Sequence, residues 1–236
     1  MRVFSVKRRV LQRIVLFSIV VVALNLLTFR YLVLDDIDSV DLNNLSGHIV
    51  AIDPGHGGID SGANGNGVVE KEITLAISAK LCEILQANGA QVVMTRDSDI
   101  DYYTRGKGGK RNDLLKRVDI INNSGAQLFV SIHCNAIRDA RQSGSQVFYG
   151  QAENKMLAEV AQKSLKSYPP GNRRQAKLDK DIIILKAAGI PGILVETGYL
   201  TNSNEAAQLA DISYQQKLAE QIAKSLAYHF SQNVGR

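Results

Sequence analysis

The chain has 236 residues, 45% of them hydrophobic, with no tryptophan and only four prolines; this is enough to bury one sizeable core and argues against long disordered tracts. Its formal charge of +5 belongs to the N-terminus: residues 1–30 hold Arg2, Lys7, Arg8, Arg9, Arg13 and Arg30 and no acid, which leaves −1 for the rest. A near-neutral globular part gives no electrostatic footprint for nucleic acid, so that class of partner is excluded.

The basic tail runs into an apolar stretch from Ile14 to Phe29, extended after Arg30 by Tyr31-Leu32-Val33-Leu34, and acids follow at Asp35, Asp36, Asp38 and Asp41. Basic residues before an apolar span and acids after it predict a cytoplasmic N-terminus and an extracytoplasmic remainder. With no small-x-small cleavage site, the segment reads as an uncleaved anchor rather than a removed signal. The expected layout is therefore a basic tail and signal anchor over residues 1–34, a polar linker over 35–46, and a catalytic domain over 47–236.

From Gly47 the pattern alternates. Residues 48–53 form a short apolar strand ended by Pro54-Gly55, and a Gly- and Asn-rich loop follows to Gly67. A helix opens near Glu70, with Ile73, Ile77, Leu81 and Leu85 on one face and Asn88-Gly89 at its end. Residues 91–96 make the next strand. A polar loop over 97–112 contains the basic tract 105–111, and a helix presenting Leu114, Val118 and Ile121 comes after it. The near-continuous apolar start of the strand 128–133 suits a sheet covered on both faces. Strands at 145–149, 182–185 and 192–196, a helix at 152–167 and a break at Tyr168-Pro169-Pro170-Gly171 complete the middle of the chain. The last helix opens at Ser213, with Gln216 three residues on as in a capping box, and buries Leu218, Ile222, Leu226 and either Phe230 or His229. Alternation of this kind predicts a single α/β domain, with a mixed, mainly parallel central sheet and helices on both faces.

Three candidate residues fall at or just past strand ends, where such sheets bind ligands: His56, His133 and Glu196. Alone, His56 would be a turn histidine bonded to backbone, and His133 a satisfied core histidine. Two imidazoles at two strand ends, together with a carboxylate, instead suit a catalytic zinc with an open fourth position. Glu70 is the candidate carboxylate ligand. The helix dipole explains an acid there equally well, and Glu72 competes, but Glu70 extends the Ile73–Ile77–Leu81 line while Glu72 lies roughly 100° further round. Glu196, at the end of an apolar strand, should have a raised pKa or a partner, and fits a general acid/base better than a structural ion pair or a fourth ligand.

Period-2 alternation places Ser131 on the face of His133, where it could orient a ligand, and turns Cys134 away. Asn135 is a weaker candidate for substrate contact. Cys82 and Cys134 read as two small buried thiols, though one disulfide is formally possible in an exported protein. The basic tract 105–111 and Arg173-Arg174 read as solvated loops before they read as sites for a glycan or peptide carboxylate. His48 and His229 read as structural. There is no His-Glu-x-x-His helix, Gly-x-Ser-x-Gly elbow or P-loop.

The segments Val50–Gly58, Glu70-Lys71-Glu72, Thr95-Arg96, Ser131–Asn135 and Val195–Asn202 together resemble the zinc N-acetylmuramoyl-L-alanine amidases, over residues 47–231. The resemblance implies one zinc per chain on His56, Glu70 and His133, catalysis by Glu196, and a mixed sheet flanked by helices. It implies peptidoglycan, both stem peptide and glycan, as substrate. The absence of cell-wall-binding repeats and the single N-terminal anchor resemble the spore germination-specific branch of that family, which implies a role in forming muramic δ-lactam in spore cortex, outside the cytoplasmic membrane and around the developing spore. An activator protein is left open. Two other functions compete: a zinc peptidase or deacetylase on the same polymer, and a tethered cell-wall binding module with a degenerate site. Only an amidase frees whole stem peptides from the glycan, and the complete ligand set argues against a mere binder.

Overall fold

The computed structural model describes residues 8–103, 105 and 108–232, with the side chains of 8–9 and 26–36 excepted. Two compact units divide at Ser39. In the first, helix α1 (Arg8–Asp38) leaves its large apolar side chains exposed between Val10 and Leu24, with Phe17 at 70%. The expected anchor lies partly outside the described residues, at 1–7 and at the side chains of 26–34. Among the described residues, no helix is long and apolar enough to cross a membrane.

The second unit, Val40–Arg236, begins with a 3-10 turn (Leu42–Leu45) inside the expected linker, and Leu45 is fully buried in the core. The strands are β1 (Ile49–Pro54), β2 (Asn64–Gly65), β3 (Val68–Val69), β4 (Gln91–Met94), β5 (Leu128–Asn135), β6 (Gln146–Tyr149), β7 (Lys177–Leu178) and β8 (Gly192–Tyr199). The remaining helices are α2 (Glu70–Ala87), α3 (Gly109–Asn122), α4 (Lys155–Ser167), α5 (Ile183–Ala187), α6 (Ser203–Ala210) and α7 (Ile212–Ser231). Six strands form one sheet in the order β4-β1-β5-β8-β6-β7. All neighbours are parallel except β8 and β6.

Each face of the sheet buries its own apolar cluster. On one face Val50, Ile52, Val130, Ile132 and Val195 meet α2, α4 and α7; on the other Ala51, Phe129 and Leu194 meet α3 and α5. Alternation along β1, β5 and β8 supplies both sets, so these central strands are apolar throughout. The stripe Ile73, Ile77, Leu81 and Leu85 of α2 is buried as the four-residue spacing requires. At roughly 2 kcal/mol per side chain, it fixes the rotation of that helix and hence the direction of its first residue. In α7, Leu218, Ile222, Leu226 and Phe230 are buried as expected.

Several local expectations change. Residues 182–185 are not a strand: α5 begins at Ile183 and buries Ile184 and Leu185 against the sheet. A four-residue apolar run does not distinguish strand from buried helix, and the edge beside β6 is taken by β7. The cap of α7 is Asp211, one position before the helix, and accepts from Tyr214 N at 2.9 Å and Ser213 Oγ at 2.5 Å. Gln216 turns along the helix to Glu220 instead of closing a capping box. The loop before α2 contains a hairpin, β2–β3, whose turn residues Asn66 and Gly67 both have positive φ, as a type I′ turn requires. Cys82 and Cys134 are both free thiols. Of the basic tract 105–111, residues 106 and 107 lie outside the described residues.

Candidate metal centre

β1, β5 and β8 are adjacent in the sheet, so their carboxyl ends share one edge. His56 follows β1 by two residues, His133 lies on β5, and Glu196 lies on β8 opposite His133 in the ladder. Glu70 arrives from outside the sheet as the first residue of α2. It is 3% exposed, whereas Glu72 is exposed.

His56, Glu70 and His133 each offer a ligand atom, all within 4.8 Å of one another. His56 Nε2 and His133 Nδ1 both lie 3.1 Å from Glu70 Oε1. The two rings meet edge to face, with centroids 4.9 Å apart. Glu70 is fixed by backbone donors: Ala63 N–H to Oε2 at 2.7 Å and Cys134 N–H to Oε1 at 2.9 Å. Burial opposes its charge, but hydrogen bonds and the charges of His133 and His56 outweigh burial and hold the carboxyl well below the ordinary range. Burial likewise pulls the His56 pKa down, yet Glu70 and Asp60 together leave it raised. Asp60 Oδ2 meets His56 Nδ1 at 2.9 Å and so orients the ring that faces Glu70, while Lys110 pairs with the other oxygen at 2.7 Å.

Close approach here depends on Gly55. A Cβ at that position would stand 2.4 Å from His133 Cε1, so the imidazole occupies the space a side chain would fill. His56 itself has φ +61°, a conformation that non-glycine residues adopt only when the surroundings enforce it.

Two buried arginines do the enforcing. Arg117 donates from Nη2 to His56 O at 2.6 Å and from Nη1 to Pro54 O at 2.7 Å. Arg96 donates from Nε to Pro54 O and from Nη2 to Gly55 O, both at 2.9 Å. Behind them, Asp53 accepts from Arg117 Nη1, Thr95 Oγ1 and Ser131 Oγ. Burial raises the Asp53 pKa, but Arg117 and the two hydroxyls bring it below the usual value. Burial and the neighbouring Arg117 lower Arg96 to about 10. Asp113 closes the network on Arg117 Nε at 2.8 Å. Ser131, expected to orient a ligand, thus serves Asp53. Sequence reasoning assigned no role to Asp53, Asp60, Arg96 or Arg117; the signals available were the i, i+4 spacing of Asp113 and Arg117 and the presence of Asp53 and Arg96 in segments that carry the family resemblance.

Glu196 stands apart from the three. The residue keeps partial exposure, but Oε2 is sealed from solvent and has no hydrogen-bond partner. Burial raises its pKa to about 7, with His133 and His56 lowering it and Glu70 adding to the rise. The Cys134 side chain points away into the core and meets Thr197 Oγ1 at 3.3 Å. Asn135 lies partly exposed at the end of β5, opposite Tyr199. His48 stacks on Phe230, and burial lowers the pKa of His229 in α7.

Residues 50–228 match the family model described as N-acetylmuramoyl-L-alanine amidase. The chain is 41% identical over 194 residues to the germination-specific N-acetylmuramoyl-L-alanine amidase of Bacillus subtilis (strain 168), covering 80% of this chain and 82% of that protein. Among solved structures, the CwlD amidase of Clostridioides difficile, in complex with the GerS lipoprotein, superposes with a TM-score of 0.76 at 36% identity, over 79% of this chain and all of that one. The amidase AmiC2 of Nostoc punctiforme gives a TM-score of 0.69 at 36% identity, over 79% of this chain and 99% of its own.

Proposed function

We propose, from the premise that this chain belongs to the N-acetylmuramoyl-L-alanine amidase family, that His56, Glu70 and His133 hold one zinc ion and that Glu196 is the acid/base for cleavage of the amide between the lactyl group of N-acetylmuramic acid and L-alanine. The observation that carries this reading is the convergence of two imidazole nitrogens on one carboxylate oxygen, beside a second carboxyl with an unpartnered buried oxygen. A nitrogen, nitrogen and oxygen donor set with an open side suits catalytic zinc. When bound, the ion supplies Lewis acidity towards the scissile carbonyl and lowers the pKa of water towards roughly 7. Glu196 takes the proton of the attacking water and returns it to the departing amine. Asp60 holds the His56 ring in orientation, and Arg96 and Arg117 hold the backbone that presents it.

Similarity to a germination-specific amidase supports a finer role in spore cortex, where removal of the stem peptide precedes formation of muramic δ-lactam. The GerS complex of the similar CwlD supports a lipoprotein partner for this chain as well. The exposed apolar side chains of α1, between a basic tail and acids, support a membrane anchor that keeps the enzyme on the extracytoplasmic face.

The test is digestion of peptidoglycan by the zinc-loaded chain, followed by mass analysis. Release of intact stem peptides is expected; stem peptides left on the glycan would reject the amidase reading. Muropeptides from spores lacking the gene should be devoid of muramic δ-lactam, and unchanged lactam content would reject the cortex role.

A further inference from the structure

A cavity of about 500 Å³ lies beside the strand that carries Glu196, lined in part by Ser143, Gly144, Arg173, Arg174 and Glu205. Its placement follows from the sheet. Gln146, at the start of β6, pairs with Glu196, so the turn 142–145 leading into β6 runs past Thr197–Tyr199. Ser145 Oγ bonds Thr197 O at 2.8 Å. Between His133 and Asn135 the β5–β8 ladder shifts by one, which brings Tyr199 opposite Asn135 and back to the side that Glu196 faces. Arg174 sits over that tyrosine, 4.9 Å from its ring centroid.

The walls are preorganised. Buried Glu205 accepts Gly144 N–H on one oxygen at 2.7 Å and Tyr199 N–H on the other at 2.8 Å, so it pins the turn to the end of β8. Arg174 Nε donates to Ser143 O at 3.0 Å and Nη2 to Gln142 Oε1 at 2.6 Å. Asn172 Nδ2 donates to Ser145 O at 2.9 Å. Both oxygens of Glu205 are therefore taken, and among the described residues neither Arg173 nor Arg174 has a carboxylate within ion-pair distance. Two arginines line one cavity, and among the described residues no anion is matched to either.

We propose that this cavity binds the C-terminal carboxylate of the peptide whose N-terminal amide is cut at the metal centre. The proposal rests on the amidase reading above. In that substrate the amine of L-alanine is held in the scissile amide, so the peptide runs away from the reacting atoms and ends in a carboxylate. Glu196 and Tyr199 are separated by roughly 10 Å along the strand, about the span of three residues of extended peptide. Guanidinium is the side chain best shaped for a carboxylate, through paired N–H donors. Arg173 is exposed at the rim, and Arg174 is held in place over Tyr199 by its bonds to Ser143 O and Gln142 Oε1.

The experiment compares two synthetic N-acetylmuramoyl tetrapeptides with the zinc-loaded full chain, one ending in a carboxylate and one in a carboxamide. The carboxylate is expected to be preferred in kcat/KM by about ten-fold or more, through KM, as for a charge-assisted hydrogen bond. R173Q and R174Q should each pull that ratio towards one, and R174K should keep part of it. A ratio near one in the unsubstituted chain, or a ratio untouched by R173Q, would overturn the subsite; R173Q carries the test if R174Q does not fold. A third substrate, amidated only at an internal acidic residue, should be cleaved like the first; a preference that follows that group would assign the arginines elsewhere. If neither peptide is cleaved, the amidase reading falls and the subsite with it, whereas equal cleavage of both removes the subsite alone.

Discussion

Glu196 lies directly opposite His133 on the neighbouring parallel strand, one pair in the ladder of β5 and β8. The proposed acid/base is thereby held beside His133 by sheet register, independently of the loop that carries His56. It touches no donor that would fix its charge, so burial dominates and its pKa rises to about 7.

Glu196→Gln is expected to lower kcat by about a hundred-fold or more. Zinc content should stay at one per chain, because the carboxyl is outside the proposed ligand triad. Parallel metal analysis and turnover on purified peptidoglycan check both halves, and activity within a few-fold of the parent would reject the role.

The same raised pKa makes a statement about stability. In the metal-free chain, Glu196 binds its proton more tightly folded, at about 7, than unfolded, at 4.5. Its contribution is fully present below the unfolded value and is lost as pH rises through the folded one. Urea unfolding of the metal-free parent should therefore lose, relative to E196Q, on the order of 3 kcal/mol between the lower and upper ends of that window. A pH-independent difference between the two proteins would contradict the burial argument.

Removing a ligand should remove the metal. His56→Ala and His133→Ala are expected to purify without zinc under conditions where the parent carries it. Glu70→Gln should do the same and also destabilise, because its amide would set an N–H against the N–H of Ala63 or Cys134 at a buried position. A cost of about 1–3 kcal/mol in chemical unfolding is expected. Full zinc occupancy in any of the three would refute the ligand assignment.

Gly55→Ala tests the packing around His133 without altering a donor. The new Cβ would fall 2.4 Å from Cε1 of the ring, and the nearest escape is rotation of the imidazole. Zinc affinity should drop at least about ten-fold, as for a displaced ligand or its supporting partner. Competition with a chromophoric chelator measures it, and an unchanged dissociation constant would show that the backbone relaxes instead.

Arg117→Ala should be among the most destabilising single changes. It leaves Asp53 and Asp113 without their buried cation and removes the Arg117 donors from His56 O and from Pro54 O, which keeps only Arg96 Nε. A loss of about 3–5 kcal/mol is expected. Thermal unfolding with and without zinc separates the effect on the fold from the effect on the metal centre.

The linear pattern determined the alternation of strand and helix, the buried stripes of α2 and α7 and the choice of Glu70 over Glu72, because period and burial are local consequences of which residues recur. It also singled out His56, His133 and Glu196 as candidates, since chemistry-bearing residues stand out at the ends of apolar strands. It misassigned Ile182–Leu185, where a short apolar run carries no period, and the cap of α7, where a nearer Asp competes with a serine. Strand order was decided only in three dimensions: β1, β5 and β8 are far apart in the chain and become neighbours through parallel pairing. The roles of Asp53, Asp60, Arg96 and Arg117 were hidden for the same reason, since their bonds are mostly to backbone carbonyls and carboxylates brought close by the fold. Tertiary structure alone decided that a strained histidine, a helix-opening glutamate and a strand histidine meet at one oxygen, because long-range packing, and no local preference, supplies the energy that holds them there.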